Sequence, residues 1–278
     1  MARAPILSRM DSEPLLHLYD AQLRDEAEVA EAPEVSRIGP LLAATWPERG
    51  RGFLTYRSIP KEMDLAALID AALAHYVDDT RITKVEWKTR GHDDLPDLVD
   101  LLTQRGFEFE EQETVMAGTV ESAIEAADPI PAGYGVIRAT SADEIREAEA
   151  LAGRVFGDTP ADSATRGEAL VARWEKDPES FEMWFVRGPE GQIVCSGRID
   201  FVVGTEFAGL WGGACEAEHR GKGLYRALTA ARAESAQQRG YRFLQSDCTE
   251  FSRPILQRAG LVPITTTTPA VWHRESTP

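Results

Sequence analysis

The stretch EHRGKGLYRAL, Glu218 to Leu228, sets Arg220, Gly221, Lys222 and Gly223 directly before a helix-like run. Two glycines one residue apart leave backbone amides bare. A helix start carries unpaired N–H groups with the positive end of the dipole behind them, so a phosphate can approach closely. Arg220 and Lys222 add mobile positive charge. The chemistry that suits these residues is anion binding, with a phosphate as the guest. A P-loop would need glycine at Glu216 and a hydroxyl side chain at Gly223. A dinucleotide loop would need glycine at Arg226 and the first strand of a parallel unit. Neither requirement is met. What remains is R-x-x-G-x-[GA], with Arg220 and Gly223 in place and Tyr225 in the last, normally small, position.

The elements that must hold this loop follow from periodicity. FEMWFVRG, QIVCSGRIDFVVG and FAGLWGGACEA are three strand-like segments, the first two joined by the turn Gly188-Pro189-Glu190-Gly191. A helix from Gly223 to Gly240, a strand RFLQSDCT, a short helix SRPILQRAGL and a strand VPITTTTPAVW come next. Before the meander, GVIRAT reads as a strand, SADEIREAEALAGRVF as a helix that Ser141 and Glu144 open as a capping box, and RGEALVARWEK as a further helix. This predicts an α/β chain with a mixed antiparallel and parallel sheet flanked by helices. The first half repeats the plan without the loop: helix Asp64 to Val77, strand Ile82 to Lys88, helix Asp97 to Phe107 and a strand around ETVMAG. Pro129 and Pro131 place a linker between Glu121 and Tyr134, dividing the chain into domains 1–128 and 133–278.

The order of elements from Tyr134 to Trp272, with EHRGKGLYRAL before its helix and SRPILQRAGL after the next strand, resembles the GNAT superfamily of N-acetyltransferases. The first half resembles the degenerate domain of tandem members, and without R-x-x-G-x-G it is expected to bind no cofactor. The resemblance implies acetyl-CoA as co-substrate, its diphosphate on Arg220, Gly221, Lys222, Gly223, Leu224 and Tyr225. It also implies the thioester oxygen on amides of Gly213, Ala214 and Cys215, with Thr249 and Ser252 near the pantetheine arm. The family's general acid is the tyrosine of an L-Y pair, and Ile255-Leu256 stands there.

Acetyl transfer to an amine needs a neutral nitrogen, a stabilised oxyanion and a leaving thiol. Deprotonating an amine of pKa near 10.4 at pH 7 takes roughly 4–5 kcal/mol, so a carboxylate base is useful. Glu206 and Asp200 are the candidate bases, ahead of Glu216 and Asp247. Tyr225, or a water held by Thr249 or Ser252, is the candidate acid. Tyr225 otherwise packs with Leu224 and Leu228 on the helix's buried face. In the first half, VEWKTRGHDDLPDL collects Trp87, Lys88, His92, Asp93 and Asp94 at a strand end, either as an active-site contribution or as a polar turn in which Asp94 starts a helix.

The 278 residues carry a net charge of −16, which disfavours nucleic acid and anionic membrane surfaces and suits an amine-bearing small molecule or peptide. Cys195, Cys215 and Cys248 are odd in number without C-x-x-C spacing, so no disulfide framework or zinc site is expected and a cytoplasmic location fits. No two histidines lie within four residues, so no metal is assigned. The opening MARAPILSRMDSEPLLHLYD shows no signal-peptide core and no apolar run long enough to span a membrane. The expected activity is an N-acetyltransferase acting on a primary amine. The alternatives are an inactive CoA-binding sensor or scaffold and a transferase of larger acyl groups. The amine and the oligomeric state stay unassigned.

Overall fold

The structure, a computed structural model, describes residues 10–127 and 129–274. The readings that fall on the first nine residues and on Asp128 lie outside that range. The chain begins with α1 (Ser12–Gln22) and α2 (Glu26–Val29) and then forms β1 (Glu34–Ile38), β2 (Leu41–Trp46) and β3 (Arg51–Thr55). The three strands pair antiparallel in sequence. Helix α3 (Leu65–Val77) crosses over to β4 (Lys84–Lys88), which pairs parallel with β3. Asp64 opens α3 by accepting from Ala67 N–H. Helix α4 (Leu98–Gln104) and β5 (Phe107–Phe109) complete this stretch.

The next strand, β6 (Glu113–Thr119), is followed by α5 (Val120–Glu125) inside the segment read as linker. Thr119 caps α5 through Ser122 N–H, a signal that the downstream prolines obscure. Strand β7 (Gly135–Arg138) and helices α6 (Ala142–Phe156) and α7 (Pro160–Lys176) lead into the expected meander of β8 (Phe181–Arg187), β9 (Ile193–Phe201) and β10 (Phe207–Cys215). Helix α8 (Leu224–Gln238) then crosses to β11 (Phe243–Cys248), which pairs parallel with β10. Helix α9 (Arg253–Arg258), β12 (Val262–Thr267) and β13 (Pro269–His273) close the fold. At α6, Ser141 accepts from Glu144 N–H as the capping box requires, but the Glu144 carboxylate bonds Thr140 N–H instead of returning to Ser141.

The six-stranded sheet runs β1-β2-β3-β4-β13-β5 and the seven-stranded sheet runs β12-β6-β11-β10-β9-β8-β7. The final apolar stretch is therefore two strands, not one, and they enter different sheets. β6 from the first half sits beside β11, and β13 from the end of the chain sits beside β4, so each sheet takes its strand from the other half of the sequence. Two compact units result. One joins Met116–Ser246 to Phe251–Pro263, and the other joins Glu13–Val115 to Asp247–Glu250 and the chain from Ile264. A division of the sequence at 128/133 does not follow these units, because a cut in the chain cannot anticipate an exchange of strands.

Each unit has its own apolar core. Leu41, Leu54, Ile69, Trp87 and Leu102 are fully buried in one. In the other, Ile145 and Leu151 of α6 cluster with Phe181 and Phe185 of β8, while Leu224 and Leu228 of α8 cluster with Val186.

Candidate active site

Strand β10 carries a bulge. Its register with β9 is Trp211 opposite Arg198 and then Ala214 opposite Ser196, so one residue is extra, and Gly212 has φ +61 there. The parallel ladder between β10 and β11 ends at the Gly209–Gln245 pair, while β10 runs on to Cys215. The two strands part at that point, beside the bulged amides.

A short 3₁₀ turn, Ala217–His219, joins β10 to the glycine loop. Gly221 and Gly223 have φ of +75 and +79, a conformation that favours residues without a Cβ. A Cβ at Gly221 would meet nothing within 4 Å, so the glycine leaves open space in front of its amide. Gly223 is the N-cap of α8 and supplies no side-chain hydrogen bond, which leaves the first N–H groups of a 15-residue helix without a capping side chain.

The loop, the bulge and the start of α8 enclose a cavity of about 330 Å³. Gly213, Ala214 and Cys215 form one wall, and Arg220, Gly221, Gly223, Leu224 and Tyr225 another, with Ser252 at the edge. Sequence reasoning brought all these residues together. It placed two others there that the cavity does not use. Lys222 turns its ammonium to the Tyr134 hydroxyl, 2.9 Å away. Thr249 follows β11, belongs to the other compact unit, and is not part of the wall.

Tyr225 faces the cavity, with its phenolic oxygen lying against Gly213, where only the missing side chain leaves room. Leu224 and Leu228 carry the buried face of the helix instead. Arg220 donates from Nε to the Cys215 carbonyl at 2.9 Å, and its guanidinium lies 5.7 Å from the Phe251 ring centroid.

The two carboxylates chosen as bases are elsewhere. Glu206 precedes β10 at the end of the strand remote from the bulge and pairs with Arg242 at 2.6 Å. At a strand rise of about 3.3 Å per residue, it lies roughly 25 Å from Ala214. Asp200, opposite Gly209, is held by Arg173 at 3.0 Å and Arg198 at 2.9 Å. Both are held by arginines, from α7, from β9 and from just before β11, and neither lines the cavity. Glu216 pairs with Arg154 and Asp247 with Lys88.

Cysteine pairing is a second correction. Cys195 and Cys215 are directly opposed on β9 and β10, with Cα atoms 4.1 Å apart, and form a disulfide. Cysteine count and spacing carry no information about such a cross-strand partner. Cys248 is buried and lies outside the disulfide.

The residues that sequence reasoning missed are His219, Arg226 and Arg258, with Phe156, Phe251 and Ile255. Phe156 and Phe251 are 58% and 67% exposed, unusual for phenylalanine, and Arg258 is the last residue of α9, the short helix read in SRPILQRAGL. The cavity wall therefore holds three arginines and a histidine, and no carboxylate among the described residues, in a protein of net charge −16.

The strand-end cluster of the other unit is a polar network. Arg24, 2% exposed, is bidentate to Asp93 at 2.9 and 3.0 Å. Lys88 lies 2.8 Å from Asp247. Burial alone would weaken its ammonium, but neighbouring groups, Asp247 first, hold its pKa above the ordinary value. Asp94 is exposed and pairs with Lys61. It does not start α4, which begins after Asp97. Among the described residues no cluster of metal-ligating side chains is present.

No protein-family model matches the sequence, and no curated protein matches it. Solved structures do. The chain is similar to a GCN5-related N-acetyltransferase from Kribbella flavida at 16% identity and TM-score 0.69, covering 95% of this chain and 96% of that one. The fold is the GNAT fold. A GCN5-related N-acetyltransferase from Sphaerobacter thermophilus shares it at 16% identity and TM-score 0.62, over 86% of this chain and 78% of that one. A tandem GNAT protein from the clavulanic acid biosynthesis pathway shares it at 13% identity and TM-score 0.64, over 97% and 98%. Among the described residues no helix is long and apolar enough to cross a membrane.

Proposed function

We propose that the protein is an N-acetyltransferase that moves an acetyl group from acetyl-CoA to a primary amine. The observation that carries this reading is the wall of the cavity: uncapped helix N–H groups behind left-handed Gly221 and Gly223, ringed by Arg220, Arg226, Arg258 and His219, with no carboxylate among the described residues. Such a wall suits a diphosphate. The similarity of the fold to N-acetyltransferases supports the same reading.

Bound acetyl-CoA would supply an activated acyl group and a thiol leaving group. The chain's own residues then have separable tasks. The loop amides and Arg220 hold the diphosphate. Amides at the bulge, Gly213 to Cys215, are placed to receive the charge that develops on the thioester oxygen. The Tyr225 phenol, which faces the same cavity, is the one proton donor of tyrosine type in its wall. Leu256, at the position where the family carries its acid, is buried and outside the cavity wall, and Ile255 beside it offers the cavity only apolar contact. Juxtaposing thioester and amine supplies the larger part of the rate, roughly 7–11 kcal/mol when alignment is good.

Isothermal calorimetry with acetyl-CoA, followed by thiol release in the presence of an amine panel, tests the reading. Binding with acetyl transfer supports it. Binding without turnover on any amine or water assigns a sensor instead, and absence of binding removes the proposal.

A further inference from the structure

Arg232 is fully buried on α8 and has no carboxylate partner among the described residues. Its Nε donates to the Leu228 carbonyl at 3.3 Å, Nη1 to the Arg198 carbonyl at 3.1 Å and Nη2 to Thr229 Oγ1 at 3.2 Å. A desolvated guanidinium balanced only by neutral oxygens is expensive. The side chain facing it is Tyr225, whose ring centroid lies 5.7 Å from the guanidinium carbon. The two residues are a helical i, i+7 pair, with Thr229 between them hydrogen-bonded to the Tyr225 carbonyl at 2.9 Å.

Two glycines on neighbouring strands make room for the pair. A Cβ at Gly197 on β9 would come within 2.8 Å of Arg232 Nη1, and a Cβ at Gly213 on β10 within 2.2 Å of the Tyr225 oxygen. Burial pushes the Arg232 guanidinium below its ordinary pKa, and the opposing influence is the Tyr225 phenol. The other charged or titratable groups in the cavity wall are His219, Arg220, Arg226 and Arg258.

We infer that Arg232 is a positioning residue for acyl transfer, a buried cation that supports negative charge on the Tyr225 oxygen while the phenol protonates the departing sulfur. The inference rests on the acyltransferase reading above. In that step the amine nitrogen bonds the acyl carbon and the carbon–sulfur bond breaks. The Tyr225 proton passes to sulfur, the amine releases its extra proton to solvent, and the phenolate regains one from solvent. A departing thiolate whose thiol has a pKa near 8.5 is a weaker base than the phenolate of a phenol of pKa near 10, so the transfer runs uphill without a nearby cation. Arg232 does not reach the cavity and touches neither substrate. Its effect passes through Tyr225.

The test is a double-substitution cycle with Arg232→Met, Arg232→Lys and Tyr225→Phe, read by steady-state kinetics and by equilibrium unfolding without substrate. Arg232→Met is expected to lower kcat roughly 10- to 100-fold with KM for acetyl-CoA unchanged, while stability stays level or rises. Arg232→Lys is expected to recover part of kcat. Tyr225→Phe should lose a similar factor, and the double variant little more than either alone. A kcat equal to the parent's, or losses that multiply, would overturn the inference. So would a fall in stability matching the fall in activity, which marks a merely structural arginine. If the parent transfers no acetyl group, the function proposed above fails. The unfolding cycle then still decides the contact, because Tyr225→Phe must destabilise the parent and leave Arg232→Met unaffected. If Arg232→Met does not fold, the arginine is structural and the inference is lost.

Discussion

The space a Cβ would occupy at Gly213 is filled by the phenolic oxygen of Tyr225, which would lie 2.2 Å from that carbon. A tyrosine in the last place of R-x-x-G-x-[GA] is thus accommodated by removing a side chain from the facing strand. Gly213→Ala is expected to push the phenol aside, since the clash falls on the far end of a movable side chain, and to leave the fold intact. Acetyl transfer should fall about tenfold or more while the melting temperature moves little, as measured by thiol release and calorimetric scanning. Unchanged turnover would detach the phenol from the chemistry.

Arg220 and Lys222 stand two residues apart but do different things. Arg220 borders the cavity, and Lys222 is spent on Tyr134. Arg220→Ala should weaken acetyl-CoA roughly 10- to 100-fold by titration calorimetry, the range of a lost charge-assisted contact. Lys222→Ala should change it by less than about threefold. Equal losses would show that both side chains reach the ligand.

Much of this loop was legible beforehand. The glycines, the arginine and the helix start are local signals, and local physics determines them. Helices α3, α6 and α8 announce themselves through periodicity and capping. The failures are non-local. Glu206 precedes β10 and Asp200 lies on β9, but whether an acid in or beside a strand faces a cleft or an arginine depends on register and on side chains such as Arg242 and Arg173, distant in sequence. The same holds for the cysteine pair, which only the β9–β10 register brings together.

The Cys195–Cys215 disulfide closes a loop with a sequence separation of 20. Closing a loop of that size stabilises by about 3 kcal/mol in the chain-entropy view. Dithiothreitol should therefore lower the melting temperature by several degrees. A Cys195→Ala/Cys215→Ala protein should melt at the lower value with or without reductant. A melting point insensitive to reductant in the parent would mean that the bond contributes nothing. Because the bond anchors β10 beside the bulge, loss of acetyl-CoA affinity on reduction would extend its role to the cavity.

Glu182 on β8 is buried and surrounded by donors: Ser235 Oγ at 2.7 Å, Trp184 Nε1 at 2.8 Å, Arg239 Nη2 at 2.9 Å and Arg138 Nη1 at 3.0 Å. Burial alone would raise its pKa. The hydrogen bonds from Ser235, Trp184, Arg138 and Arg239 outweigh burial and hold it below the ordinary glutamate value. The unfolded chain therefore binds this proton more readily. The contribution to stability is full above an unfolded pKa near 4.3 and is lost as pH falls through the lower folded value. Glu182→Gln should remove about 3 kcal/mol or more at pH 7 in urea titrations and flatten the acid limb of the stability curve. An unaltered acid limb would assign acid sensitivity to other carboxylates.

The reciprocal exchange of β6 and β13 has a consequence for how the polypeptide can be made and divided. Translation delivers β6 long before β11, its neighbour in the cavity-bearing sheet, so the nascent chain must keep that strand uncommitted until the last part emerges. A fragment cut at the prolines would carry a bare ladder edge where the missing strand belongs, open to pairing with another copy. The exchange makes the two halves of the sequence obligate companions.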